Sequence, residues 1–63
     1  MTSGKELVGS LWQHRSQDLV VVVKEQFRLG EDIDSWLDCR DANDLSIMMR
    51  AHDLVENFRR LEL

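Results

Sequence analysis

Apolar residues near the C-terminal end recur at alternating intervals of four and three residues, and this spacing constrains the fold more than any other feature of the chain. Side chains at these intervals share one face of an α-helix and form a seam like that of a coiled coil. The sequence therefore predicts a helix over residues 43–62, which Asp41 or Asn43 would cap. The seam consists of Ile47, Ala51, Leu54, Phe58 and Leu61, widened on one side by Met48 and Val55.

A second helix is predicted over residues 4–29. Ser3 and Glu6 match a capping box near its start, and Gly30 is typical of a helix C-terminus. Arg15 and Gln26 interrupt the apolar face of this helix, which indicates a polar contact in an interface. At ~100° per residue, that face carries Val8, Leu11, Trp12, Leu19, Val22, Val23 and Phe27.

Between them, residues 32–39 predict a short helix, because Ile33, Trp36 and Leu37 lie at i, i+3 and i+4. The C-terminal seam also extends backwards through this segment, so that residues 32–62 form one long helix in an alternative interpretation. Asp41 and Asn43 favour a break in this long helix, since both residue types prefer helix caps to helix interiors.

We therefore expect an all-α protein, either a helical hairpin that turns at Gly30 or a compact three-helix unit. The rival interpretation is a strand over residues 19–23, where four consecutive valines follow a leucine. Such a short run of β-branched residues is also typical of a buried strand. In the helical interpretation the predicted core contains Leu19, Val22, Val23, Phe27, Ile47, Ala51, Leu54, Phe58 and Leu61.

The small size of the chain predicts that it relies on a partner for part of its stability. Sixty-three residues form a single domain at most, and chains below roughly 70–80 residues usually need a disulfide, a metal or a partner. Cys39 is the only cysteine, so an internal disulfide is excluded, and it does not form a zinc-site pattern with the two histidines. We expect a homodimer that assembles a helical bundle, with interface candidates Trp12, Arg15, Trp36, Met48 and Val55.

Charge and composition argue against several other classes of function. Twelve acidic residues against eight lysines and arginines give a net charge of −4, which provides no general attraction to nucleic acids or anionic membranes. The longest apolar run, residues 19–23, is far too short to cross a bilayer. The acids of residues 31–44 do not follow the ligand pattern of a calcium loop. We expect no cofactor, no metal, no membrane contact and no catalytic site.

The function expected from these features is that of a small regulatory or adaptor protein that acts through helix–helix contacts with itself or another protein. One alternative is a dimeric nucleic-acid-binding regulator. The other is an acidic inhibitor of a basic protein surface, of a kind that a phage could encode. A single free thiol fits a reducing compartment, so the expected location is the cytoplasm, or the host cytoplasm if the protein is viral.

Overall fold

Five strands and one seven-residue helix make up the fold in the computed structural model, which describes residues 7–31 and 34–62. Neighbouring strands are all antiparallel, in the order β4-β3-β2-β1-β5. The sheet curls into a half-barrel, which leaves β4 and β5 as its two edges. The elements are β1 (Leu11–His14), β2 (Val20–Phe27), β3 (Trp36–Arg40), β4 (Ser46–Arg50), α1 (Ala51–Asn57) and β5 (Phe58–Leu61).

The predicted all-α fold is wrong, and with it the helical hairpin, the three-helix unit and the helical bundle. β1 and β2 lie within the helix predicted over 4–29, β3 overlaps the helix predicted over 32–39, and β4 and β5 lie within the helix predicted over 43–62. α1 is the only helix among the described residues. The rival strand interpretation of residues 19–23 was the correct one. The capping box of Ser3 and Glu6 lies outside the described residues, as does Ile33.

A β-bulge in β2 changes which of its residues face the core. The pairing of β2 with β3 shifts by one residue between Val23 and Glu25, and a bulge of this kind bends the strand and increases its twist. As a result Val21, Val23 and Gln26 are all buried, at intervals of two and three residues, whereas Lys24 and Glu25 are exposed. The extra residue breaks the strict alternation of a strand.

The polar segment predicted to cap a helix instead builds the turn between β3 and β4. Asp41 Oδ1 accepts hydrogen bonds from the backbone N–H groups of Asn43 at 2.8 Å and Leu45 at 3.0 Å. Asp44 has a positive φ of 63°, a conformation that aspartate tolerates better than most residues. The same short polar side chains that cap helices also stabilise turns, because both uses satisfy local backbone N–H groups.

The core lies between the inner face of the sheet and α1. Leu54 is the only buried side chain of α1, and it is fully buried. Gln26 is a buried polar residue whose Oε1 accepts the Leu7 N–H at 3.2 Å and whose Nε2 donates to Ser35 Oγ at 3.3 Å. The buried hydrophobic residues are Trp12, Val21, Val23, Leu37, Cys39, Leu54 and Phe58.

Candidate functional site

The face of the sheet opposite the core, here called the outer face, carries aliphatic side chains that no other part of the described chain covers fully. Strand registers place Leu11 beside both Val22 of β2 and Leu61 of β5. Because side chains alternate between the two faces of a strand, these residues lie opposite the buried Trp12 and Val21. Val20, on the same face as Val22, is 38% exposed.

A groove of about 200 Å³ runs along this face and is the candidate binding site. One wall is aliphatic and comes from β1 and β2. The other wall is formed by the end of β3 and the turn that follows it. The lining residues of this outer groove are Leu11, Val20, Val21, Val22, Arg40, Asp41 and Ala42.

Arg40 is the basic residue of the outer groove, and acidic side chains hold it in place. Its Nη2 lies 3.5 Å from Asp38 Oδ2, and its Nη1 lies 3.5 Å from Asp44 Oδ1. Asp38 also accepts a 2.7 Å hydrogen bond from the Ser46 hydroxyl. That bond, assisted by Arg40, lowers the pKa of Asp38 below its usual value. The carboxylate therefore stays ionised beside the guanidinium at neutral pH.

The Arg40 guanidinium retains one donor that the described residues leave unsatisfied. Its Nε atom is buried and has no hydrogen-bond acceptor among them. A buried donor without an acceptor is unfavourable by about 1–3 kcal/mol. A small rotation of the guanidinium toward an acceptor on a bound molecule would form a hydrogen bond that the free protein lacks.

The other end of the outer face carries an aromatic pair. Phe27 of β2 lies beside Trp36 of β3 in the strand register, and Trp36 lies beside Arg50 of β4. The Arg50 guanidinium carbon is 5.0 Å from the centroid of the Trp36 ring, within the range of a cation–π contact. All three side chains are half-buried.

The five interface candidates from the sequence lie in different parts of the fold. Trp12 is buried in the core, 7% exposed, and donates from Nε1 to Ser10 Oγ at 2.7 Å. Arg15 is exposed after β1, and its backbone N–H donates to Asn57 O at 2.9 Å. Trp36 lies on the outer face. Met48 on β4 and Val55 on α1 are 49% and 55% exposed. The structure does not bring the five together.

The core candidates also separate into two sets. Val23, Leu54 and Phe58 are buried, and Leu19, Ile47 and Ala51 are partly buried and pack against the core. The other three are half-buried, and the strand registers place them on the outer face: Val22, Phe27 and Leu61.

The lining of the outer groove was missed by the sequence analysis. Leu11 and Val22 were assigned to the apolar face of a helix, and Arg40 was not a candidate. Alternation along a strand would place Val20 and Val22 on one face, but their position beside Leu11 and Arg40 depends on strand pairing.

The thiol of Cys39 is fully buried in the core. Burial raises its pKa from the usual 9.0 to about 11, and the negative charge of Asp38 adds to this effect. Within residues 7–31 and 34–62, no group of three or more His, Cys, Asp and Glu side chains is arranged to hold a metal ion. No helix in the described chain is long and apolar enough to cross a bilayer.

The raised pKa of Cys39 predicts a loss of stability at alkaline pH. The unfolded chain releases the thiol proton near pH 9 and the folded chain only near pH 11, so stability is full below pH 9 and falls as the pH rises between these values. The expected decrease in the free energy of unfolding is at most roughly 3 kcal/mol, since one pKa unit corresponds to about 1.36 kcal/mol. Urea unfolding at several pH values would measure it. A Cys39→Ala variant should lose less stability over this range, and an identical loss in both proteins would contradict the prediction.

Comparison with known proteins gives no relative: no family model, no curated protein and no solved structure matches this chain. The function is therefore argued from the residues of the site.

Proposed function

We propose that this chain is a non-catalytic module that binds another protein, and that the outer groove accepts an aliphatic side chain of that protein. The observation that carries the proposal is the aliphatic wall of Leu11, Val20 and Val22 on the solvent side of the sheet. Burial of apolar surface is the main favourable contribution to most protein–protein association, and this wall supplies such surface beside a charged rim.

The size of the outer groove favours a side chain over a small-molecule ligand. At about 200 Å³, it falls below the ~300–1,000 Å³ typical of small-molecule sites. A single aliphatic side chain would fit it, while the flanking backbone of the partner offers carbonyl acceptors to Arg40. The partner proposed here is therefore a protein segment with an exposed leucine-like residue.

This proposal keeps protein binding from the sequence analysis but discards the helix–helix contact. The single described helix has seven residues, and its buried residue faces the sheet. Binding to nucleic acid and inhibition of a basic surface stay as alternative predictions. The acids beside the groove do not favour the latter, because Asp38 and Asp44 already pair with Arg40 and Asp41 accepts backbone N–H groups of its turn.

Val20→Lys tests the proposal by placing a charge in the outer groove. We expect this variant to reduce capture of the partner by about tenfold or more, since a desolvated charge is unfavourable in an apolar contact. The measurement is quantitative affinity capture by the immobilised full chain from nuclease-treated extracts of the source cells. Val55→Lys is the matched control, because Val55 is also exposed but lies on α1.

Equal recovery of every specific partner by the parent, Val20→Lys and Val55→Lys would contradict a role for the outer groove. Partners recovered only without nuclease treatment would instead support the nucleic-acid alternative. Circular dichroism of each variant would confirm that the sheet is retained.

A further inference from the structure

Some backbone N–H and C=O groups of β4 point away from the rest of the sheet. The N–H of Ala51 donates to Ser35 O at 2.8 Å, and the N–H of Asp41 donates to Leu45 O at 3.2 Å. These two bonds flank the uninterrupted register of β3 with β4. Hydrogen-bonded and non-hydrogen-bonded pairs alternate in antiparallel strands. Counting inward from these two bonds, the backbone groups of Ile47 and Met49 bond to β3. The backbone groups of Ser46 and Met48 then point outward from the edge.

Within the described part of the chain, β4 lacks several of the features by which proteins prevent strands from pairing between molecules. Typical protections are proline, lysine, inward-pointing charges and bulges. The sequence of β4 is Ser-Ile-Met-Met-Arg, its register with β3 is regular, and Met48 at its centre is 49% exposed. Among residues 7–31 and 34–62, no backbone group bonds to the outward groups of Ser46 and Met48, so these groups can pair with another strand.

We infer that two copies of this chain pair through their β4 strands, antiparallel about a two-fold axis at Met48, to form one continuous ten-stranded sheet. In this register the outward N–H and C=O groups of Met48 bond to the same groups of Met48 in the second copy, so the two strands present the same surface to each other. On the inner side, Ile47 of each copy lies opposite Met49 of the other. Cross-strand apolar pairs of this kind stabilise a sheet.

The charges on β4 fit this two-fold arrangement. The register places Ser46 of one copy opposite Arg50 of the other. A serine therefore faces an arginine at each end of the pairing. No two like charges of β4 lie directly opposite each other, an arrangement that would be destabilising.

The other edge of the sheet is unsuitable for the same symmetry. β5 contains Arg59 and Arg60 in adjacent positions. A two-fold axis at either residue places arginine directly opposite arginine, which is destabilising. Pairing of β4 with β5 of another copy would be head-to-tail and would produce rings or filaments instead of a closed dimer.

Met48→Lys tests the inference, because the two-fold axis would bring the two introduced lysines face to face. We expect the parent protein to sediment at twice the monomer mass of 7.4 kDa at micromolar concentration. The lysine variant should raise the dissociation constant by about tenfold or more. Met48→Leu, which keeps an apolar side chain, should dimerise like the parent. Sedimentation equilibrium over a hundredfold range of concentration would measure all three.

Proline variants at both edges separate the possible modes of association. The outward N–H of Met48 and that of Arg60 do not bond to a neighbouring strand, and proline is tolerated at such edge positions. Met48→Pro should abolish the dimer, and Arg60→Pro should leave it intact. A strictly monomeric parent, a dimer that survives both Met48→Lys and Met48→Pro, or larger assemblies sensitive to Arg60→Pro would each overturn the inference. Since this interface does not include the outer groove, the result is independent of the Val20→Lys experiment.

Discussion

Replacing Leu54 with alanine is expected to lower the free energy of unfolding by about 2–5 kcal/mol, the usual range for truncation of a buried leucine. Leu54 is fully buried, and no other side chain of α1 is buried. It therefore provides the main attachment of the helix to the inner face of the sheet. Because a small domain has a total stability of about 5–15 kcal/mol, this loss is a large fraction of the total, and the variant should unfold at a much lower urea concentration than the parent.

Urea titration followed by circular dichroism would measure this loss. Val55→Ala is the matched control, since the neighbouring side chain is 55% exposed and its truncation should change stability by less than about 0.5 kcal/mol. If Leu54→Ala and Val55→Ala unfolded at the same urea concentration, α1 would not pack on the sheet as described.

Replacing Trp12 with alanine should be comparably destabilising, by about 3–5 kcal/mol. The indole is 7% exposed, and its N–H donates to Ser10 Oγ at 2.7 Å. The Ser10 hydroxyl in turn donates to Leu7 O, so the ring joins β1 to the residues that precede it. The alanine variant would leave a large cavity and remove the donor to Ser10.

Trp12→Phe separates the two contributions, because it keeps an aromatic ring and removes the N–H. Its expected loss is about 1 kcal/mol from the hydrogen bond, together with a smaller packing loss. Chemical denaturation of the two variants would test both values. If Trp12→Ala weakened self-association and left the unfolding of the monomer unchanged, Trp12 would belong to an interface and not to the core.

The C-terminal half shows why a regular apolar spacing was misleading. Ile47, Leu54 and Phe58 all contact the core, but from β4, α1 and β5 respectively. β4, α1 and β5 follow one another directly along the chain. Apolar residues in these three elements together show the spacing of four and three that a single helix would show. The pattern identified several residues that face inward, but it also included Leu61, which lies on the outer face, and it did not identify the element that carries each residue.

The helix predicted over residues 4–29 was wrong for a different physical reason. The predicted helical face combined Val23, which is buried, with Val22 and Phe27, which lie on the outer face, because β2 is apolar on both faces. The bulge between Val23 and Glu25 then breaks the alternation of the strand. The four consecutive valines carried the correct signal, because β-branched side chains favour strands. A bulge depends on pairing with β3, and that long-range contact cannot be read from local sequence.

Neither the outer groove nor the β4 edge could be predicted from the sequence, because both depend on which strands pair. The groove joins Val20 of β2 to Arg40 and Asp41, which become neighbours only when β2 and β3 pair. Met48 was predicted to lie at an interface. Its position on the edge strand β4 makes that hypothesis more specific: the interface would form by pairing of β4 with β4 of a second copy. Both surfaces depend on the strand order and would not exist in a helical hairpin.

Nuclear Overhauser effects between α-protons on neighbouring strands test this strand order most directly. In the non-hydrogen-bonded pairs of an antiparallel sheet the Cα atoms lie only ~4.5 Å apart, so their α-protons give strong signals. We predict such signals between Asp38 and Met48 and between Trp12 and Arg60, which the registers of β3 with β4 and of β1 with β5 place opposite each other. Absence of these signals, with helical contacts between residues three apart throughout Val20–Phe27, would contradict the sheet and both surfaces built on it.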